Sequence, residues 1–229
     1  LGYTFQIYFD FCGYSDMAVG LGFLFGLRIP LNFNSPYRAV NPSDFWRRWH
    51  ISLSTCLRDY LYIPMGGSRG TTFATYRNLF LTMLIGGLWH GANWTFVMWG
   101  AYQGMLLIAY RLFSRQWDRL PVWLAGPLMF LLVVLGWVLF RAPSLSAAGD
   151  IYQAMFSSRG GDTNIVDALK LLTLVCVAGT WSVFGPNCVE AHQGFRRSYR
   201  WSVVTAAVFC ACLSIMAGGR SSPFLYFQF

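Results

Sequence analysis

The sequence has few charged residues and almost no lysine. Only 11% of its 229 residues are Asp, Glu, Lys or Arg, against about 25% in a typical soluble domain. The basic residues outnumber the acidic ones, 17 to 9, and Lys170 is the single lysine among them. So little charge excludes an ordinary water-soluble domain and a disordered chain.

The cysteines and histidines show neither a disulfide framework nor a metal site. None of the six cysteines has the spacing of a zinc-ligand pair, and Cys210 and Cys212 lie inside an apolar run. We interpret all six as small apolar side chains in helices. The histidines, His50, His90 and His192, are far apart and form no HExxH motif, so we expect no bound metal.

The sequence is rich in long apolar runs, and 55% of its residues are hydrophobic. There are five such regions, and each of the last three is long enough to cross a bilayer once. They are residues 3–27, 79–113, 122–140, 165–184 and 201–217. The pattern predicts an all-α, polytopic transmembrane bundle that forms a single membrane domain over residues 1–229.

The second apolar region is too long for one crossing. As a straight helix its 35 residues would extend about 52 Å, whereas the hydrocarbon core is about 30 Å thick. We predict a break at Gly86-Gly87 or in the stretch 90–93. If the region 79–113 enters the membrane and returns to the same side, 13 of the 17 basic residues lie on one face of the membrane. The positive-inside rule makes that face cytoplasmic.

Two amphipathic helices are expected outside the long apolar runs. The first begins with Ser43 as N-cap, includes an Asp44–Arg48 pair, and continues through Tyr60 to a stop at 64–67. It places His50 on a face with Trp46, Leu53, Ser54 and Leu57. We expect this helix to be interfacial or re-entrant. The second amphipathic helix covers 144–156.

Two histidines are the leading candidates for chemistry. His90 lies in an apolar run, where an ionisable group is costly and usually faces protein or a water-filled space. His50 is a candidate in the amphipathic segment, although the residues around it slightly favour an interfacial histidine with its polar tip in water. We also predict that four residues support the site or line a substrate path: Trp89, Asn93, Asp10 and Arg47. Asp10 could instead bond a neighbouring helix to fix packing.

Three segments carry a family resemblance. They are FQIYFDFCGYSDMAVGLGFLFG, LNFNSPYRAVNPSDFWRRWHISLSTCLRDYLYIPMGGSRG and NLFLTMLIGGLWHGANWTFVMWGAYQG. In this order they closely resemble the alginate O-acetylation branch of the bacterial membrane-bound O-acyltransferase superfamily. The family's near-invariant histidine matches His90, and its second motif histidine matches His50. The resemblance also implies that the chain is the C-terminal portion of a longer protein.

The resemblance implies a bacterial inner-membrane acyltransferase. Such a protein takes an acetyl group from a cytosolic thioester, acetyl-CoA or an acyl carrier protein, and binds no cofactor tightly. It passes the group across the membrane to a polysaccharide such as alginate, or to a periplasmic acetyltransferase partner. His90 would then act as general base or as covalent acyl carrier, and His50 would orient the donor or stabilise the oxyanion.

Other functions remain open from the sequence. A D-alanyl transfer protein of teichoic acid synthesis would use the same site with a different donor and acceptor. A transporter or proton relay would use Asp10, Asp16 and His90, and a non-catalytic assembly subunit would need the histidines only for structure. We expect membrane lipid as a partner and no nucleic acid, because the arginines lie between apolar runs.

Overall fold

The computed structural model describes residues 1–157, 164–194 and 198–218. Over these residues the regular structure is helical, without a strand, which confirms the predicted all-α fold. The chain divides into two compact units, Leu1–Phe184 and Gly185–Phe229, and each is described by itself. The prediction of a single membrane domain stays a prediction.

The first unit contains eight of the described α-helices, and a 3₁₀ turn and a π-helical turn lie between them. The helices are α1 (Gly2–Leu24), α2 (Pro42–Arg48), α3 (Ile51–Leu57), α4 (Thr72–His90), α5 (Trp94–Trp117), α6 (Val122–Arg141), α7 (Leu145–Phe156) and α8 (Ile165–Phe184). The 3₁₀ turn is Pro36–Arg38 and the π-helical turn is Arg58–Tyr62. In the described part of the second unit, the helices are α9 (Cys188–Gly194) and α10 (Tyr199–Ala217).

Within the described part of the chain, three helices are long and apolar enough to cross a membrane, namely α6, α8 and α10. Their side chains are largely apolar, and those of α10 are all exposed. An exposed apolar helix surface of this length is typical of contact with lipid. The three helices therefore agree with the prediction of a membrane protein.

The long second apolar region folds into a helical hairpin. The predicted break lies between α4, which ends at His90, and α5, whose N-cap Asn93 accepts a hydrogen bond from the Thr95 amide at 3.1 Å. The alternative break at Gly86-Gly87 is wrong, because both glycines lie inside α4. A Cβ on Gly87 would collide with the carbonyl oxygen of Phe96, so this glycine allows α4 and α5 to approach closely.

The predicted amphipathic helix through residue 60 is interrupted. Its N-cap is Asn41 rather than Ser43, because the Asn41 side chain accepts a hydrogen bond from the Asp44 amide at 2.7 Å. The expected Asp44–Arg48 ion pair is present at 2.9 Å.

The interruption itself lies at Trp49 and His50. Trp49 has an extended backbone and His50 a left-handed one, with φ 42° and ψ 55°. These two residues separate α2 from α3, and the α-helix gives way to the π-helical turn after Leu57. The prediction that His50 shares a helix face with Trp46 and Leu57 is therefore wrong, because no continuous helix joins them.

Aromatic side chains fill the space between α1, α2 and α6. The Tyr37 hydroxyl donates a hydrogen bond to the Thr4 carbonyl at 2.5 Å, which ties the 3₁₀ turn to α1. Trp49 packs on Trp137 of α6, with ring centroids 4.8 Å apart. The buried aromatic residues of this core are Phe5, Tyr8, Phe11, Phe33, Tyr37, Phe45, Trp49, Trp99, Trp137 and Phe140.

Two shorter predictions had opposite outcomes. The predicted helix over 144–156 is confirmed as α7, with Ser144 as its N-cap. The charged segment VEAHQGFRRSYR around His192, for which the sequence predicts a surface loop, is instead helical as α9 up to Gly194. The described cysteines form no disulfide, in agreement with their predicted role.

Candidate functional site

The fold brings the two candidate histidines to the same tryptophan. His50 lies between α2 and α3, and His90 is the last residue of α4. The Trp89 ring lies 6.3 Å from the His50 ring and 5.0 Å from the His90 ring, measured between centroids. Residues 40 positions apart in the sequence thus form one candidate site.

Backbone pairing places His50 beside the segment that follows α1. The Asn34 amide donates to the Arg48 carbonyl at 3.0 Å, and the Ile51 amide donates to the Asn32 carbonyl at 2.9 Å. His50 lies between these two hydrogen bonds, in the left-handed conformation that breaks the helix. Its side chain is only 8% exposed. The break therefore turns the imidazole into the protein.

Polar side chains surround the Nδ1 edge of His50. This nitrogen lies 3.2 Å from Oδ1 of Asn32. The same oxygen accepts hydrogen bonds from the Ser52 hydroxyl at 2.6 Å and the Ser52 amide at 3.3 Å. The amide nitrogen of Asn32 donates in turn to the Ser15 hydroxyl at 3.3 Å. Sequence reasoning missed Asn32, Ser52 and Ser15, because only the tertiary structure brings them to His50.

Burial keeps His50 uncharged at physiological pH. Removal of the imidazole from water disfavours its protonated form and lowers the pKa of His50 to about 4. A neutral imidazole has one nitrogen that donates a hydrogen bond and one that accepts. His50 therefore has one nitrogen able to accept a proton at pH 7.

His90 is held by aromatic rings. Its imidazole lies edge-to-face against Trp99, with centroids 5.3 Å apart, and against Phe140 at 5.0 Å. Phe96 completes this enclosure at 6.3 Å. Among the described residues no group hydrogen-bonds to the His90 ring, which is half-buried. Packing alone therefore orients this imidazole within the described part of the chain.

Unpaired polar atoms lie on the helix that faces His90. The indole nitrogen of Trp99 and the hydroxyl of Thr95 are buried and have no hydrogen-bond partner among the described residues. The two residues are one turn apart on α5, and Trp99 contacts the His90 ring. A buried polar atom without a protein partner usually binds water or a ligand. These atoms are therefore suited to hold a polar group of a substrate.

Two cavities flank Trp46. One, of about 260 Å³, is lined by Arg47, Ser54 and Arg58 among others, and the other, of about 210 Å³, has the same Ser54 and Arg58 in its wall. Trp46 lines both cavities and packs on Trp99 at 5.9 Å between centroids. Since Trp99 contacts His90, a chain of aromatic contacts joins these cavities to the candidate site.

The other predicted site residues are Asn93, Arg47 and Asp10. Asn93 caps α5 and donates a hydrogen bond to the Pro143 carbonyl at 3.1 Å, so its visible contacts are structural. Arg47 is exposed, lies 3.6 Å from the Asp44 carboxylate and lines the larger cavity. Asp10 is half-buried on α1. Their predicted supporting roles, like that of Trp89 in the site itself, stay predictions.

No group of three His, Cys, Asp or Glu side chains lies close enough to hold a metal within residues 1–157, 164–194 and 198–218. The ligand chemistry of the site is therefore that of two imidazoles, an amide and hydroxyls, with indole donors nearby. These groups bind organic substrates and transfer protons.

Comparison with known proteins identifies a family and several relatives of this chain. Residues 1–144 match the sequence model of the membrane-bound O-acyltransferase family. The chain is 44% identical to the probable alginate O-acetylase AlgI of Azotobacter vinelandii, over all of the chain and 54% of the relative. It is 37% identical to the peptidoglycan O-acetyltransferase of Helicobacter pylori, over all of the chain and 48% of the relative.

A third relative is more distant. The chain is 33% identical to the teichoic acid D-alanyltransferase of Bacillus subtilis, over 54% of the chain and 33% of the relative. The chain spans about half the length of the O-acetylation proteins that it matches. Both candidate histidines lie within the residues that the family model covers.

Proposed function

Because the chain belongs to the membrane-bound O-acyltransferase family, we propose that it forms the catalytic part of an enzyme that acetylates hydroxyl groups of an extracellular polysaccharide such as alginate. The observation that carries this proposal is the meeting of His50 and His90 at Trp89. Two imidazoles beside buried, unpaired donors are suited to acyl transfer, and the O-acetylase names of the relatives support this reaction.

The reaction needs a base for the hydroxyl acceptor. In the proposed step, the hydroxyl proton moves to His90 while the hydroxyl oxygen attacks the acetyl carbonyl carbon. The carbon–sulfur bond of the thioester then breaks, and the proton passes to the departing sulfur. General base catalysis contributes about 10²–10⁴-fold to such a rate. His90 suits this transfer because no described residue holds its ring nitrogens in hydrogen bonds.

The buried donors beside His90 suit the charge that develops during attack. As the carbonyl oxygen becomes an oxyanion, a preorganised donor stabilises it more strongly than water does. The indole nitrogen of Trp99 is such a donor, since it is buried and has no partner among the described residues.

The acyl donor is proposed to be a cytosolic thioester, acetyl-CoA or an acyl carrier protein. Both carry phosphate on a long, thin arm, and arginine binds phosphate through charge-assisted hydrogen bonds. Arg47 and Arg58 line the cavity beside Trp46, and Arg111 lines a further cavity of about 220 Å³. The positive-inside rule supports a cytosolic position for this arginine-rich side in an inner, multi-pass membrane protein.

The acceptor side of the reaction is proposed to face the periplasm. The polysaccharide, or a periplasmic acetyltransferase that completes its acetylation, would receive the acetyl group there. Membrane lipid would surround α6, α8 and α10, the helices long and apolar enough to span. A site at the α4–α5 break supports this arrangement, because a donor from one side and an acceptor from the other need a common meeting point.

A second candidate function is D-alanyl transfer to teichoic acid. The B. subtilis relative supports it, although its identity of 33% covers only 54% of this chain. The same two histidines would serve both reactions, since each transfers an acyl group from a thioester to a hydroxyl. The chemical nature of the group found on the polymer separates the two functions.

The test is mass spectrometry of the exopolysaccharide from cells that lack the intact gene and are complemented with variants. Wild-type protein should restore acetyl esters, whereas His90→Ala should lower acetylation by at least about 10²-fold while membrane insertion stays normal. His192→Ala, a matched histidine change in α9, should retain acetylation. Normal acetylation by His90→Ala would refute the catalytic assignment, and D-alanyl esters on the polymer would favour the second candidate.

A further inference from the structure

Two adjoining cavities with α4 and α5 in their walls differ in the polar groups that they present. We propose that together they bind an anionic phospholipid of the cytoplasmic leaflet, with an acyl chain in one cavity and the phosphate beside Arg111 in the other. This inference goes beyond the proposed function. It assigns the cavity with Arg111 to lipid and leaves the cavity with Arg47 and Arg58 to the acyl donor.

The first cavity, of about 210 Å³, presents hydrocarbon to its contents. Its larger apolar side chains come from α2, α3, α4 and α5, and they are Trp46, Leu57, Leu79, Met83 and Leu107. The indole nitrogen of Trp46 is itself buried, so this residue presents ring carbons. The cavity is therefore lined mainly by carbon atoms.

The hydroxyl groups in the wall of this cavity are already used by the protein. The Ser54 hydroxyl donates to the Trp49 carbonyl at 3.2 Å, the Thr82 hydroxyl donates to the Asn78 carbonyl at 2.7 Å, and the Tyr62 hydroxyl lies 2.7 Å from that of Ser68. The arm of acetyl-CoA or of an acyl carrier protein contains amide groups, and burial of an amide without a partner is costly. The cavity therefore suits an alkyl chain better than the arm of the donor.

The second cavity, of about 220 Å³, keeps its polar groups available. Ser43, Arg111 and Ser114 line it, and no described residue forms a hydrogen bond or an ion pair with any of their side chains. The other polar side chain in its wall, Tyr110, donates to the Asp118 carboxylate at 3.0 Å. A guanidinium with two free hydroxyls is suited to bind a phosphate.

Arg111 also differs from the arginines of the neighbouring cavities in its charge balance. Arg58 pairs with Asp59 at 2.7 Å, and Arg47 lies 3.6 Å from Asp44. Arg111 has no carboxylate partner in the part of the chain that the structure describes. Its positive charge is therefore left for an anionic ligand.

The two cavities are continuous enough for one molecule to occupy both. They share Leu79 of α4 and Leu107 of α5. Arg111 follows Leu107 by one helical turn, which is about 6 Å along α5. A molecule with its phosphate at Arg111 can therefore extend an alkyl chain past Leu107 into the first cavity. A phospholipid combines these two chemical groups.

The surroundings of Arg111 favour membrane lipid over a soluble phosphate. Leu112 and Phe113, which follow it, are both exposed, and a basic side chain beside exposed apolar ones is typical of the membrane interface. The positive-inside rule makes this arginine-rich side cytoplasmic. The cytoplasmic leaflet carries anionic lipids, and basic pockets between helices on that side bind their head groups.

The test measures which lipid stays bound to the intact protein in native mass spectrometry. The probe is phosphatidylglycerol, phosphatidylethanolamine with the same acyl chains is the head-group control, and glycerol phosphate is the control without chains. The wild type should retain phosphatidylglycerol in preference to both controls, and excess acetyl-CoA should not displace it. Equal retention of either control would overturn the inference. Displacement by acetyl-CoA would assign the Arg111 cavity to the donor and would also overturn it.

Two substitutions test the two cavities separately. Arg111→Gln should lower phosphatidylglycerol binding by about fivefold, because one arginine beside an anionic lipid surface contributes about this factor. Leu107→Phe fills space that both cavities share and should weaken binding by a similar factor through exclusion of the acyl chain. Unchanged binding in either variant would contradict the inference.

The matched controls are Arg119→Gln and Leu112→Phe, the same changes at exposed residues that line neither cavity. Both variants should bind phosphatidylglycerol as the wild type does, and losses equal to those of the cavity variants would overturn the inference. The measurement needs no acyl transfer. A wild type that binds the lipid but transfers no acetyl group would therefore defeat the proposed function and support the lipid site.

Discussion

The surroundings of His50 and those of His90 differ in kind. His50 lies in a polar network built from α1, the segment after it and the start of α3. His90 lies among the rings of Trp89, Trp99 and Phe140, and no described residue hydrogen-bonds to it. One imidazole is oriented by hydrogen bonds and the other by packing.

This difference bears on the acyl transfer that we propose. A hydrogen-bonded imidazole is held in one orientation. An imidazole held only by aromatic packing can take a proton on one nitrogen and release it without breaking a protein hydrogen bond. In the proposed acyl transfer, the contrast therefore favours His90 as the group through which the proton passes.

The largest expected effect on the packing around His90 is that of a substitution at Gly87. An added Cβ there would collide with the Phe96 carbonyl and lie 3.0 Å from Cα of Gly100, and these backbone atoms cannot move aside independently. Gly87→Ala should therefore push α4 from α5 and lower the free energy of unfolding by about 3 kcal/mol. Thermal unfolding in lipid nanodiscs measures the change, and acetyl transfer should fall with it because His90 ends α4.

The control for Gly87→Ala is Gly126→Ala in α6. A Cβ on Gly126 meets no atom within 4 Å, so this change should leave stability equal or raise it by up to about 1 kcal/mol through helix propensity. Equal stability of the two variants would show that the close approach of α4 and α5 does not hold the hairpin together.

The polar network around His50 is tested by the pH dependence of stability. Burial lowers the pKa of His50 to about 4, below its ordinary value of about 6.5, so the unfolded chain binds more protons between these values. Stability therefore falls as the pH drops through this window. Between pH 7 and 4.5, the wild type should lose about 2 kcal/mol more than His50→Asn does. Asparagine also tolerates the left-handed backbone at this position.

Unfolding of both proteins in nanodiscs at a series of pH values measures this difference, because every other titrating group is common to the two. The curves should diverge only below about pH 6.5. Parallel curves throughout would mean that His50 is protonated as easily in the folded protein as in the unfolded chain.

The smallest expected effect is at Asn93, which lies in the turn between α4 and α5. Asn93→Ala removes the N-cap of α5 and the hydrogen bond to the Pro143 carbonyl, and it should cost about 1 kcal/mol. Asn93→Asp keeps the cap oxygen and should recover most of that loss. Chemical denaturation in detergent gives both values. Equal destabilisation by both variants would assign the effect to the Pro143 contact instead of the cap.

Local chemistry explains which structural predictions were confirmed. Ser144 caps α7, and the Asp44–Arg48 pair forms as expected, because each depends on residues within one helical turn. The break after His90 was also predictable, since 35 apolar residues exceed the bilayer thickness. The Asn41 cap was misassigned to Ser43 by two positions, because both side chains are suitable N-caps.

The components of the site were predictable only in part. His90 stood out because an ionisable group in an apolar run is costly. Asn32 gave no comparable indication, since it is an ordinary polar residue in a loop, 18 positions from His50. The left-handed backbone at His50 was equally hidden, because the residues around it favour a continuous amphipathic helix. Tertiary pairing with residues 32–34 overrides that preference.

The sequence by itself determined that this protein is built for a membrane, because its charge content is low and its apolar runs are long. The lengths of these runs match the bilayer thickness, so they also indicated the lengths of the spanning helices. The sequence also predicted a helix break at Gly86-Gly87 or in the stretch 90–93, and the structure has the second. Only the tertiary structure decided that His50 turns inward and meets Asn32 and Trp89. The physical reason is that hydrogen bonds and ring contacts between distant segments depend on how the helices pack, and no local pattern records that packing.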